Sequence, residues 1–170
     1  MVYYDENGHT NFKRCQSGKY EKRIFAVGDF LDDKFVICGG IGKDELVKTD
    51  CEVIDELGSK SFNMSENGRI YASYVKLNKS TIWITGGRDY NFKSLSSTEF
   101  VTVNGSKDGP PLPFKIKEHC MVQYKEDAIL LVGGFHSSKP SKKTYIVDTT
   151  ILDGEILGKS HTVNRVFRAI

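Results

Sequence analysis

Three runs of consecutive apolar residues punctuate the chain, and each closes on a glycine pair: KFVICGG at 34–40, TIWITGG at 81–87 and AILLVGG at 128–134. The pairs Gly39–Gly40, Gly86–Gly87 and Gly133–Gly134 recur at intervals of 47 residues. Runs this short, β-branched and aromatic and continuous rather than alternating, predict strands covered on both faces. Recurrence at such a period predicts a repeat architecture. The flanks recur as well. A cation, two residues and a small residue precede each run: Arg23 to Ala26, Arg69 to Ala72 and Lys117 to Cys120. A first strand follows (Phe25 to Val27, Tyr71 to Val75, Cys120 to Tyr124). Next comes a turn rich in Asp, Asn and Lys: Leu31 to Lys34, Asn78 to Ser80, Lys125 to Asp127. Beyond each glycine pair a polar loop leads to a third strand, which carries Glu52 in the first unit and Glu99 in the second. A fourth strand precedes the next cation.

The fold class this predicts is all-β, built of four-stranded antiparallel units spanning about 23–68, 69–116 and 117–164. Residues 1–22 read as the remnant of a preceding unit. One segment competes with that reading. Between Asp44 and Gly58, the residues Leu46, Val47, Val53, Ile54 and Leu57 fall nearly on one helical face, with a glycine placed to end the helix. The corresponding segment of the next unit, Asn91 to Gly105, has no such stripe, so the repeat predicts strands in both. The expected core lies on the second strands: Val36, Ile37, Trp83, Ile84, Leu130 and Leu131. A glycine pair at the end of an inner strand serves a backbone that takes φ > 0 or passes close to another chain segment.

A hydrophobic strand ending in Gly-Gly, at a period near 50 residues and with four strands per unit, resembles the kelch repeat. The likeness covers roughly Arg23 to Thr149. It implies blades packed around an axis as a β-propeller. The tryptophan that many kelch units carry after the third strand is absent, and the only tryptophan, Trp83, sits in a second strand. Pro110-Pro-Leu-Pro113 resembles a strap leading into a following blade. A propeller has about four to eight blades, and three units fall short of that. Arg165 stands 48 residues after Lys117, where a fourth repeat would begin. The expectation is therefore an incomplete propeller, a piece of a longer one or an open stack that self-associates through its open blade edges.

Composition narrows the function classes. With 170 residues, 39% hydrophobic and 27% charged, the chain is an ordinary globular one. A net charge of +2 advertises neither nucleic acid nor an acidic membrane surface, and no run reaches the ~18 apolar residues of a membrane span. The first residues show neither a basic nor an apolar leader region, which favours a cytoplasmic chain. Asn63-Met-Ser, Asn78-Lys-Ser and Asn104-Gly-Ser fit the glycosylation acceptor pattern and pull toward an extracellular one. Cys15, Cys38, Cys51 and Cys120 are scattered, and the expectation is small, mostly buried thiols.

The chemistry expected is sparse. Gly154 to Ser160 ends like a phosphate loop but has one residue too few between its glycines. Gly40-Ile-Gly42 lacks the third glycine of a dinucleotide site. His9, His119, His136 and His161 show no metal spacing, and His119 and Cys120 on one strand point to opposite faces. Lys139, Lys142 and Lys143 read as a solvated loop. No catalytic residue, cofactor or metal site is expected.

The candidate site lies instead on the loops after the glycine pairs: Ile41 to Thr49, Arg88 to Ser96 and Phe135 to Lys143. In kelch propellers such loops help form a binding face, and a cation directly after Gly-Gly can hold an acidic peptide. Arg88 alone occupies that place here. Arg88, Asp89, Tyr90, Phe135 and His136 are the candidate partner-binding residues. The resemblance implies a non-enzymatic module that binds a protein or peptide. The alternative is part of a propeller enzyme, carbohydrate-active or oxidase-like, with its active residues outside this chain.

Overall fold

Each apolar run becomes the second strand of a four-stranded antiparallel meander in the computed structural model, which describes residues 2–4, 10–12, 21–64, 68–136, 138–149 and 167–169. A short hairpin, β1 (Val2–Tyr4) and β2 (Thr10–Phe12), comes first. The first sheet has the order β3 (Val27–Leu31), β4 (Lys34–Cys38), β5 (Asp50–Asp55), β6 (Gly58–Asn63). The second holds β7 (Ser73–Asn78), β8 (Thr81–Thr85), β9 (Thr98–Thr102) and β10 (Gly105–Gly109). The third holds β11 (Cys120–Lys125), β12 (Ala128–Val132), β15 (Thr144–Asp148) and β16 (Phe167–Ala169). A two-stranded ribbon, β13 (Phe135–His136) with β14 (Lys139–Pro140), interrupts the third. The turns follow from their residues. Asp32 and Asp33 take φ of 45° and 63° between β3 and β4, the paired left-handed conformation of a two-residue hairpin, which Asp tolerates.

The segment with helical spacing is a strand. Val53 and Ile54 lie in β5, where the pleat sends Val53 into the core and Ile54 to the other face. The first strand of the first unit begins at Val27, at the end of the expected Phe25 to Val27 segment. The fourth strand of the third sheet is β16, so chain beyond residue 164 completes this unit instead of opening another. The near-phosphate loop at 154–160, with Cys15, His9 and His161, lies outside the described residues.

The sheets stack face to face with the middle one covered on both sides. Ile82, Ile84 and Val101 of the second sheet, with Val103 in the turn after β9, pack with Val27, Leu31, Val36, Cys38, Cys51 and Val53 of the first. Trp83 and Phe100 point the other way, to Ile116, Ile129, Leu131, Tyr145 and Val147. Every residue of β8 is buried, which is why its run is apolar throughout. Of the expected core, Val36, Trp83, Ile84 and Leu131 are buried. Ile37 and Leu130 are only partly covered, since they occupy the outward faces of the two end sheets.

The first two glycine pairs lie where the sheets join. Gly39 and Gly86 have φ of 63° and 57°, and a Cβ on either would run into the carbonyl oxygen of Arg69 or Ile116 in the next unit. The N–H groups of Gly40 and Gly87 donate to those same carbonyls, at 2.9 and 2.8 Å. This sets the register of the repeat and corrects one step of the sequence alignment. Ile116, not Lys117, takes the place of Arg69. His119, not Cys120, takes the place of Ala72: both Cβ atoms face the second glycine of their unit. Phe25, Tyr71 and Glu118 accordingly share φ between 54° and 58°.

The two arginines are staples. Arg69 Nη1 donates to the carbonyls of Gly86 and Ser97 (3.0 and 3.1 Å), fastening the end of β8 to the approach to β9. Arg23 does the same to Gly39 and Asp50 (3.3 and 3.0 Å) and pairs with the Asp50 carboxylate at 2.8 Å. Ile116 cannot, and among the described residues the third unit has no such staple. The cysteine expectation also changes. Cys38 and Cys51 stand directly opposite on β4 and β5 and form a disulfide, whereas Cys120 is a free, exposed thiol.

Candidate functional site

The loops beyond the glycine pairs are held in matching positions. Ile41, Arg88 and Phe135 each follow a pair, and each bridges the strap leading into its own unit, at Ile24, Ile70 and Lys117. Because the sheets stack, the second and third loops lie side by side.

Between them is an open cleft of about 470 Å3 lined by Arg88, Phe92, Lys93, Ser94, Lys115, Lys117, Phe135 and Ser138. Its described walls carry four cations, no carboxylate and two phenyl rings. The Arg88 guanidinium lies over the Phe92 ring at 5.1 Å, and its Nε donates to the Phe92 carbonyl at 3.0 Å. One edge of that group is fixed while its two terminal nitrogens keep the fork that suits a carboxylate. Lys117 Nζ sits 4.7 Å from the Phe135 ring centre and pairs with Glu118. Lys93 and Lys115 are exposed. The cleft is therefore an anion-attracting groove with aromatic walls.

Of the five residues expected at the site, the structure brings Arg88 and Phe135 together in this cleft. Asp89 shapes the loop: its Oδ1 accepts the Lys93 N–H at 2.9 Å, and its own N–H donates to the Lys93 carbonyl. Tyr90 is exposed at the loop tip, outside the cleft lining. The His136 ring packs against Phe114 and Tyr145, at 4.5 and 6.4 Å. Burial first, then the charge of Lys143, lowers the pKa of His136. Lys115 and Lys117 come from the strap between units, and sequence spacing alone did not place them beside the second loop. Phe92 and Lys93 lie within the loop Arg88 to Ser96, and the adjacency of an aromatic and a cation there is the sequence signal for them.

The other concentration of titratable chemistry is buried. His119 Nε2 lies 2.7 Å from the Thr85 hydroxyl across the joint between second and third sheets, and Thr85 also approaches Met121 Sδ at 2.9 Å. Burial, with a smaller effect from His136, holds the His119 pKa down to about 4. The imidazole is therefore neutral near pH 7 and works as a packing and hydrogen-bonding group. Among the described residues, no three His, Cys, Asp or Glu side chains converge as metal ligands.

The chain matches no protein-family model, and no curated protein matches it.

Proposed function

We propose that this chain is a non-enzymatic protein–protein interaction module, its sheets being blades of a kelch-type β-propeller, and that it receives an acidic segment of a partner protein in the cleft between its second and third loops. The observation that carries the reading is the cleft lining: Arg88, Lys93, Lys115 and Lys117 around Phe92 and Phe135, with no acidic side chain among the described lining residues. A carboxylate entering the cleft meets a forked donor whose orientation is already set, so little ordering cost remains. The aromatic walls add contact area for an apolar residue next to the acid. The propeller part of the reading is supported by the first strands, since β3 lies against β7 and β7 against β11 along one edge of the stack.

Selection from a displayed library of random 12-residue peptides tests this. The expected outcome is enrichment of Asp and Glu beside an aromatic or aliphatic residue, lost when the bait is Arg88→Glu. Enrichment of basic or charge-neutral peptides contradicts the reading.

A further inference from the structure

The three sheets are held by two joints of one design, and the halves of a third are present at the two ends of the stack. In each internal joint, the second glycine of a pair donates its N–H to a carbonyl of the next unit, Gly40 to Arg69 and Gly87 to Ile116. The third pair keeps the same backbone, with φ of 68° at Gly133 and 81° at Gly134. Yet among the described residues the nearest atom to a Cβ on Gly133 is the Ser141 carbonyl at 3.9 Å, and the Gly134 N–H has no acceptor. The carbonyl equivalent to those of Arg69 and Ile116 is that of Arg23. No described residue donates to it.

The side chains divide in the same way. Val36 and Trp83 hold equivalent places in β4 and β8, and each buries against the sheet that follows. Leu130 holds that place in β12, paired with Val122 beside it, and Val122 and Val132 are 52% and 38% exposed. At the other end, Phe35 and Ile37 hold the places of Ile82 and Ile84, which in the second sheet meet the sheet before. Phe30 pairs with Phe35 on that face and is 58% exposed. The buried Glu52, paired with Ile37 on the same face, has an Oε2 without a hydrogen-bond partner.

We propose that two copies of this chain assemble head to tail, the Leu130 face of one against the Phe35 face of the other. Gly134 then donates to the Arg23 carbonyl of the second copy. A contact between two different faces either closes into a ring or runs on as a filament. Three sheets are too few to close alone, whereas two copies supply six, within the range of about four to eight that closed rings of sheets use. Closure rests on the propeller reading. The joint does not.

Size-exclusion chromatography with light scattering on the full chain tests it, with Phe30→Asp and Val132→Glu as variants. Both positions are exposed, and far-ultraviolet circular dichroism checks that the variants stay folded. The wild-type chain is expected at twice the monomer mass, and each variant alone as a monomer, its self-affinity reduced at least about thirtyfold. An equimolar mixture of the two variants keeps one unaltered joint and is expected to recover the doubled mass. A monomeric wild-type chain overturns the assembly. A mixture that stays monomeric overturns the head-to-tail joint while leaving the loop-cleft reading untouched.

Discussion

The Arg69 guanidinium lies 3.4 Å from the Glu99 carboxylate with both side chains removed from solvent, at 1% and 0% exposure. Arg69 also donates to two carbonyls that end one strand and lead into the next. Removing one partner of a buried pair strands the other charge, at a cost of about 3–5 kcal/mol. Arg69→Ala is expected to lower the urea unfolding free energy by that amount. Arg23→Ala is expected to cost less, because its partner Asp50 is 25% exposed and remains hydrated after the change. Equal losses at the two sites would contradict the staple account.

The two glycine classes differ. Alanine at Gly86 meets both an unfavourable φ and the Ile116 carbonyl, whereas alanine at Gly133 meets only the φ among the described residues. The left-handed conformation alone costs about 1–2 kcal/mol. Gly86→Ala is expected to exceed that range in urea melts, and Gly133→Ala, measured on the Phe30→Asp background to exclude assembly, to stay within it.

His119 ties stability to acidity. Its pKa is about 4 folded against 6.5 for the free side chain, so between those values the unfolded chain binds the extra proton. Stability is full above pH 6.5 and falls as pH drops toward 4. The loss at pH 5 is roughly 2 kcal/mol. His119→Ala, which installs the residue found at Ala26 and Ala72, is expected to flatten that dependence between pH 7 and 5. Unfolding curves at the two pH values check it, and an unchanged slope in the variant would assign the acid sensitivity elsewhere.

The architecture was legible because the glycine pairs report a backbone requirement, φ > 0 against a neighbouring carbonyl, that only glycine meets. The position that supplies the carbonyl was not, because any residue supplies one. A register based on cations therefore puts Lys117 in that place, although Ile116 lies the full 47 residues after Arg69. The Cys38–Cys51 bridge was within reach: a strand ending at Gly39 and its antiparallel partner starting at Asp50 place the two opposite each other. Arg88 and Phe135 could be named from their place after Gly-Gly. Lys93 and Lys115 could not be paired, since their proximity depends on the strap of one unit passing the loop of another.

The disulfide closes a loop with a sequence separation of 13, and a loop of that size constrains the unfolded chain by about 3 kcal/mol. Reduction, or Cys38→Ala with Cys51→Ala, is expected to lower the unfolding free energy on that scale. Thiol alkylation before and after reduction, read by mass, checks the pairing. Four reactive thiols in the unfolded, unreduced chain would contradict it.

Isothermal titration of an acidic peptide selected on the wild-type chain, repeated with Arg88→Ala, measures the proposed function most directly. The account predicts a Kd weakened about thirtyfold, the roughly 2 kcal/mol of an anchoring residue, and an affinity that falls as salt is raised from 50 to 500 mM in a chosen buffer series, as screening of the cationic cleft requires (about 10 Å at 0.1 M). A change below threefold, with Phe92→Ala and Phe135→Ala equally silent, would contradict it.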